Sequence, residues 1–223
     1  MQRMSTRRRI AAAAAALPLF AALLPVSRVQ AQHGHRFTDA QRWSRVFDDP
    51  SRDAWQKPAE VISALALSSD AIVADVGAGT GYFAVRLARA LPSGRVYAVD
   101  LEPDMVQFLA QRAREEQLQN LVAVAGAADS PNLPEAVDLL LMVNVYHHVG
   151  KRPAYFQRLK PKLRAGGRVA IVDYKVDASG GPPRSSRLAP ETVIAEMKQA
   201  GMRLLGSHDL LPNQYFLEFG VAD

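Results

Sequence analysis

Two short stretches carry most of the residues that could do chemistry. Asp75-Val76-Gly77-Ala78-Gly79-Thr80-Gly81 sets three glycines at alternate positions behind a carboxylate. Glycines spaced this way let the backbone pass close to a ligand with no Cβ in the way, and amides at a following helix start can face that ligand. Nineteen residues beyond Gly81, Asp100 offers a carboxylate able to accept both hydroxyls of a ribose. The second stretch is Asn144-Val145-Tyr146-His147-His148, with Asp173-Tyr174 further along. A histidine near its unperturbed pKa of about 6.5 can take up a proton at neutral pH. His148, Tyr146 and His147 are therefore the candidate catalytic groups, and Asp173, Tyr174, Trp55 and Gln56 the candidate walls of a substrate pocket. A metal on His148 and Asp173 lacks a defined third ligand, so no metal site is expected. His33 and His35 read as a solvated tail.

These residues need a frame that gathers them at one edge. Pro58 suits a first helical turn, and Val61, Ile62, Leu65 and Ala66 follow at helical spacing. The apolar run 71–76 suits a strand covered on both faces. A helix over 81–90, a strand over 95–100, a helix over 103–117 and a strand over 121–125 are expected next. Strand 137–144, helix 151–163, a turn at Gly166-Gly167 and strand 168–173 continue the alternation. A helix over 190–200 stops at Gly201, and two strands, 202–210 and 214–221, meet through Leu211-Pro212-Asn213 as a hairpin. The expected fold is α/β: a doubly wound three-layer sandwich on a mostly parallel sheet, ending in an antiparallel hairpin. Both chemical stretches then fall at carboxyl ends of strands, where such sheets open a crevice. The loop 177–190, with Gly180-Gly181-Pro182-Pro183, is long for a compact domain, and such loops often serve function.

The 223 residues suit one main domain, and the absence of cysteine excludes thiolate metal sites and cysteine nucleophiles. Five arginines in residues 1–31, with no acid among them, account for the whole net charge of +5. The remainder balances at 22 basic and 22 acidic residues, so bulk charge gives no support for nucleic acid binding. Residues 3–9 form a positive region, Ile10–Leu24 an apolar stretch, and Val29-Gln30-Ala31 a cleavage site, a pattern that reads as an export signal over 1–31. Fifteen residues rise only about 22 Å as a helix, short of the roughly 30 Å of a bilayer core. Thr6-Arg7-Arg8-Arg9-Ile10 resembles a twin-arginine signal. An exported, periplasmic protein is expected, an ordinary secretory signal or an uncleaved tether being the alternatives. Residues 32–57, irregular or partly helical, would form an N-terminal lid carrying Trp43, Phe47, Arg52, Trp55 and Gln56 ahead of a domain over 58–223.

Two cofactor classes share a glycine loop followed by an acid. A nicotinamide or flavin site asks for a third glycine where Tyr82 stands, and Asp75 would face a pyrophosphate with negative charge. A sulfonium cofactor with a free amino group would welcome that carboxylate. The segment resembles motif I of the class I S-adenosylmethionine-dependent methyltransferases, and the terminal hairpin matches their seven-stranded sheet, order 3-2-1-4-5-7-6. By that resemblance Asp75, Gly77, Ala78, Gly79 and Gly81 cradle the methionine part, Asp100 holds the ribose, and Leu101 and Met105 pack near the adenine. Ala127, Ala128 and Asp129 would contact its amino group, although the acid stands two places later than the family usually has it. Asn144 would close the site.

The same comparison removes subclasses. Asn144 lacks the two prolines of the DNA amino-group enzymes, and cytosine-C5 and arsenite methylation need cysteines. Residues 144–151 hold no Glu, as the protein arginine enzymes require, and the magnesium-dependent catechol set is incomplete. What remains is in-line methyl transfer to a small or lipophilic acceptor, similar in the central strands to the quinone-biosynthesis enzymes. The alternative is an exported nucleoside-binding module without turnover.

Overall fold

The computed structural model describes residues 39–222; the expected signal over 1–31, and His33 and His35, lie outside them. Two short helices come first, α1 (Ala40–Phe47) and α2 (Arg52–Gln56), in the segment expected to be irregular or partly helical. Asp39 caps α1 by accepting the Arg42 amide. The regular alternation then runs α3 (Pro58–Ala64), β1 (Ile72–Val76), α4 (Tyr82–Ala90), β2 (Arg95–Asp100), α5 (Pro103–Glu115), β3 (Leu121–Ala125) and β4 (Val137–Val143). It continues with α6 (Arg152–Leu159), β5 (Leu163–Tyr174), α7 (Pro190–Gln199), β6 (Met202–His208) and β7 (Gln214–Val221). Proline stands in the first turn of α3, α5, α6 and α7, where its missing N–H has no intrahelical partner to lose. The expected helix over 151–163 gives way to a 3₁₀ turn at Lys160–Lys162, because Pro161 removes a helical donor. β5 begins before Gly166-Gly167 rather than after them, with a register shift between Val137 and Leu139 on its neighbour β4 absorbing the irregularity.

The seven strands lie in the order β3-β2-β1-β4-β5-β7-β6. All pairs are parallel except β5–β7 and β6–β7. This is the strand order that the resemblance implies.

Alternate residues feed two separate cores. Val73, Leu139, Leu141 and Val172 pack with α3, α4 and α5 on one face. Ala74, Leu140, Met142 and Ile171 pack with α6 and α7 on the other. A strand that is apolar at every position is therefore buried on both sides, and each fully covered Leu or Val contributes about 1.5–3 kcal/mol. β1 and β4 are neighbours, while the chain winds away from them in opposite directions. The sheet thus opens a crevice at their carboxyl ends, and both chemical stretches sit there.

Candidate active site

The glycine loop leaves β1 and is held by β2. The Gly77 and Ala78 amides both donate to the Val99 carbonyl, at 2.8 and 2.9 Å. Gly77 has φ 75, and a Cβ there would lie 2.4 Å from a Val145 methyl, so the loop and the segment after β4 meet with no room for a side chain. Asp100, at the end of β2, receives the Gly79 amide on one oxygen at 2.8 Å and the Glu102 amide on the other at 3.0 Å. Each carboxylate oxygen keeps a further lone pair for a ligand hydroxyl.

Asp75 is buried. Burial pushes its carboxyl up to about 7, with the Arg52 guanidinium opposing and the Asp100 charge adding to the rise. The Thr80 hydroxyl, in the same loop, is buried and has no partner among the described residues. An unpartnered hydroxyl and two desolvated carboxylates beside open backbone suit a ligand bearing hydroxyls and an ammonium group.

The residues expected on the adenine side lie at and after the ends of β2 and β3. Met105 is buried in α5 and Leu101 is exposed. The Gly126 amide donates to the Asp100 carbonyl, and Ala127 pairs with Ser130 in a tight turn. Ala127, Ala128 and Asp129 are exposed there, and the Asp129 carbonyl accepts from Arg158 at 3.2 Å.

After β4 the chain makes a 3₁₀ turn over Tyr146–His148 that separates the three candidate catalytic groups. His147 turns toward β5: its Nδ1 lies 2.8 and 2.9 Å from the two carboxylate oxygens of Asp173. Both side chains are about 4% exposed. Asp173 also accepts the amides of His147 and Tyr174, so its charge is well solvated by donors. His148 is exposed, with its ring centroid 4.0 Å from that of His147.

Tyr146 does not join them, a correction to the expected set. Its ring stacks on Phe156 in the core beneath the sheet, and its hydroxyl donates to Glu196 at 2.7 Å. A 3₁₀ turn places successive side chains roughly a third of a turn apart, so only one of three adjacent candidates can face Asp173. Among the described residues no group of three His, Cys, Asp or Glu side chains could hold a metal.

Helices α1 and α2 lie over the crevice. The Phe47 ring reaches to 3.3 Å from the position a Cβ of Gly79 would take. Asp48 pairs with Arg112 at 3.0 Å, Arg112 donates to the Thr80 carbonyl, and Asp53 binds Arg86 and the Tyr82 hydroxyl. Gln56 is fully buried and donates to Gln214 at 3.0 Å, and Gln214 donates on to the Asn144 side chain at 2.5 Å. Asn144 (φ 60) thus presents its carbonyl oxygen to β7 rather than openly to the crevice. Gln214 escapes a reading of the sequence, since only the antiparallel register of β7 on β5 brings it there.

Trp55 packs against Tyr174 with centroids 6.0 Å apart. The two rings, with Ser179, Gly180, Gly181 and Asn213, line a cavity of about 250 Å³. The expected pocket residues Trp55 and Tyr174 therefore meet, Gln56 supports them from α2, and Asp173 lies next to Tyr174 holding His147.

Residues 73–167 match the family described as Methyltransferase domain. The matched segment runs from β1 to Gly166-Gly167 within β5. Among curated relatives, phosphoethanolamine N-methyltransferase 1 of Triticum aestivum is 27% identical over 178 residues, covering 79% of this chain and 33% of that protein. Demethylmenaquinone methyltransferase of Geobacillus sp. (strain WCH70) is 32% identical over 103 residues, 44% of this chain and 43% of that one. The chain thus spans less than half the length of these two relatives. A crystal structure of a SAM-dependent methyltransferase from Aquifex aeolicus superposes with a TM-score of 0.74 at 23% identity, covering 81% of this chain and 97% of that one. Helices α1 and α2 lie before the matched segment, and the β6–β7 hairpin after it.

Proposed function

We propose that the protein transfers a methyl group from S-adenosylmethionine to a small-molecule acceptor bound between Trp55, Tyr174 and the 177–190 loop. The observation that carries this reading is the convergence of Asp75, the open glycine loop and Asp100 on one crevice, with a buried His147–Asp173 pair beside it. Bound there, the cofactor supplies an electrophilic methyl group on a sulfonium. The chain's own part is to hold, orient and deprotonate. Asp75 holds the ammonium, Asp100 the ribose hydroxyls, and residues 39–57 act as a lid that keeps water from the crevice. Asp173 accepts a hydrogen bond from Nδ1–H of His147, which fixes the tautomer whose Nε2 carries a lone pair. His147 thereby becomes the general base for an acceptor O–H or N–H. No observation favours a binding module without turnover. Among the described residues no helix is long and apolar enough to cross a membrane. Export rests on the composition of residues 1–31, and with that leader a periplasmic site of action is part of the proposal.

Calorimetric titration of the full chain tests the cofactor. S-adenosylmethionine and S-adenosylhomocysteine are expected to saturate one site, and NAD to leave it untouched. Asp100→Ala should weaken both nucleosides by about a hundredfold, because two hydrogen bonds to a charged group are lost at about 1.5 kcal/mol or more each. Binding that ignored this substitution would sink the assignment of the ribose site.

Asp75 makes the same binding depend on pH. Its raised folded value keeps it protonated between 3.8 and about 7, while an ammonium ligand selects the ionised form. Affinity for S-adenosylhomocysteine should therefore rise about tenfold from pH 5.5 to 7, and Asp75→Asn should flatten that slope. The free protein responds in the opposite sense. The folded state holds more protons than the unfolded in this window, so the stability Asp75 contributes is present at acid pH and lost as pH rises toward 7.

A further inference from the structure

We propose that Arg52 binds the carboxylate of the cofactor's amino acid end, whose ammonium Asp75 takes; the inference rests on the cofactor reading above. Arg52 stands on α2, and its guanidinium lies 3.9 Å over the ring of Tyr82, in the first turn of α4 directly after the glycine loop. Its Nε donates to the Gln56 side chain at 2.5 Å and one terminal nitrogen to the Phe47 carbonyl at 2.6 Å.

No carboxylate among the described residues lies within 4.0 Å of it, whereas the half-buried Arg86, Arg112, Arg152 and Arg168 each have one. Arg187 also lacks an acid, but it spends its donors on four carbonyls of its own loop. A guanidinium has five N–H donors in a flat fork, so Arg52 keeps most of its fork unspent while losing water. That loss depresses its basicity, and Tyr82, Tyr174, Asp48 and Asp75 offset it from a distance. A desolvated cation without an anionic partner is costly, and a bidentate carboxylate is the ligand that best relieves it.

Asp75 supplies the reason to assign that carboxylate to the cofactor. Asp75 and Arg52 feel each other's charge yet form no ion pair. Opposite charges held apart in one crevice recognise a zwitterion, whose ammonium and carboxylate stand on the same carbon. Phe47 and Gln56, the two groups that anchor Arg52, also anchor α1 and α2 over the site, so the arginine is presented by the element that covers the ligand.

The test removes the carboxylate from either side. Calorimetry on the full chain would compare S-adenosylmethionine with its decarboxylated form, for the wild type, Arg52→Gln and Arg52→Lys. The wild type should prefer the intact cofactor by about tenfold or more. Arg52→Gln should bind the two forms equally, and Arg52→Lys, which keeps the charge but loses the fork, should fall between. A wild type that binds both forms equally tightly would overturn the role of Arg52 and leave the cofactor reading standing. So would an Arg52→Gln protein that keeps the full preference, or one that loses affinity for both forms by the same factor, as a purely structural arginine would. A wild type that binds neither form fails the cofactor reading first, and this inference with it.

Discussion

Gly77→Val should lower the melting temperature by about 10 °C, and Val145→Ala in the same chain should restore about half of the loss. Two separate costs make up the expected effect. The backbone at Gly77 has φ 75, a region that costs an L-residue about 1–2 kcal/mol. The new side chain would also collide with Val145, whose methyl groups lie 2.4 and 2.9 Å from the Cβ position, and overpacking of this kind costs about 1–3 kcal/mol. Neither partner can retreat. The Gly77 amide is bonded to Val99, and the turn holding Val145 is pinned by the Asn144 amide on Val172 and the His148 amide on Val145. For a domain of this size each kcal/mol shifts the transition by about 2–4 °C. Trimming Val145 relieves the collision and leaves the backbone strain. Thermal unfolding followed by circular dichroism measures both, and a Gly77→Val protein that melts with the wild type would contradict the packing described.

Asp173→Ala should be still more damaging, at about 3–5 kcal/mol. It strips the acceptor from the His147 amide, the His147 ring and the Tyr174 amide at once, and each buried donor left unpaired costs about 1–3 kcal/mol. Asp173→Asn is the informative companion. Its amide can accept from one side but must donate on the other, so the fold survives at lower stability while the His147 tautomer is no longer fixed. With an acceptor in hand, its turnover should fall by about 10²- to 10⁴-fold, the usual worth of a positioned base. Folded Asp173→Asn protein that turned over at the wild-type rate would remove His147 from the mechanism.

Most of the frame was legible because strands buried on both faces and proline-started helices write strong local signals. β3 falls over the expected 121–125, and β2 over 95–100. The terminal hairpin followed from the short Leu211-Pro212-Asn213 link. Less legible were the places where geometry depends on what packs from elsewhere. Residues 32–57 have little periodicity of their own, and α1 and α2 are held largely by distant partners, through Asp48–Arg112, Asp53–Arg86 and Gln56–Gln214. His147 and His148 look alike in the chain. Only the position of β5 beside β4 chooses His147 as the partner of Asp173 and sends Tyr146 downward to Glu196. Arg52 carried no local mark of its role, since what distinguishes it is a carboxylate it does not meet.

The loop beyond β5 has a property that bears on how acceptor choice can change over evolutionary time. Arg187 gathers the carbonyls of Val176, Ala178, Gly180 and Pro182 onto one guanidinium, so the loop's shape is written mainly within the loop. It meets the sheet at a tight seam, Gly181 against the Tyr174 ring, where a Cβ would sit 2.4 Å from a ring carbon. A wall that folds on itself in this way is an interchangeable part: substitution at Ser179 can resculpt the proposed acceptor cavity while the proposed cofactor cradle, built on other strands, stays as it was.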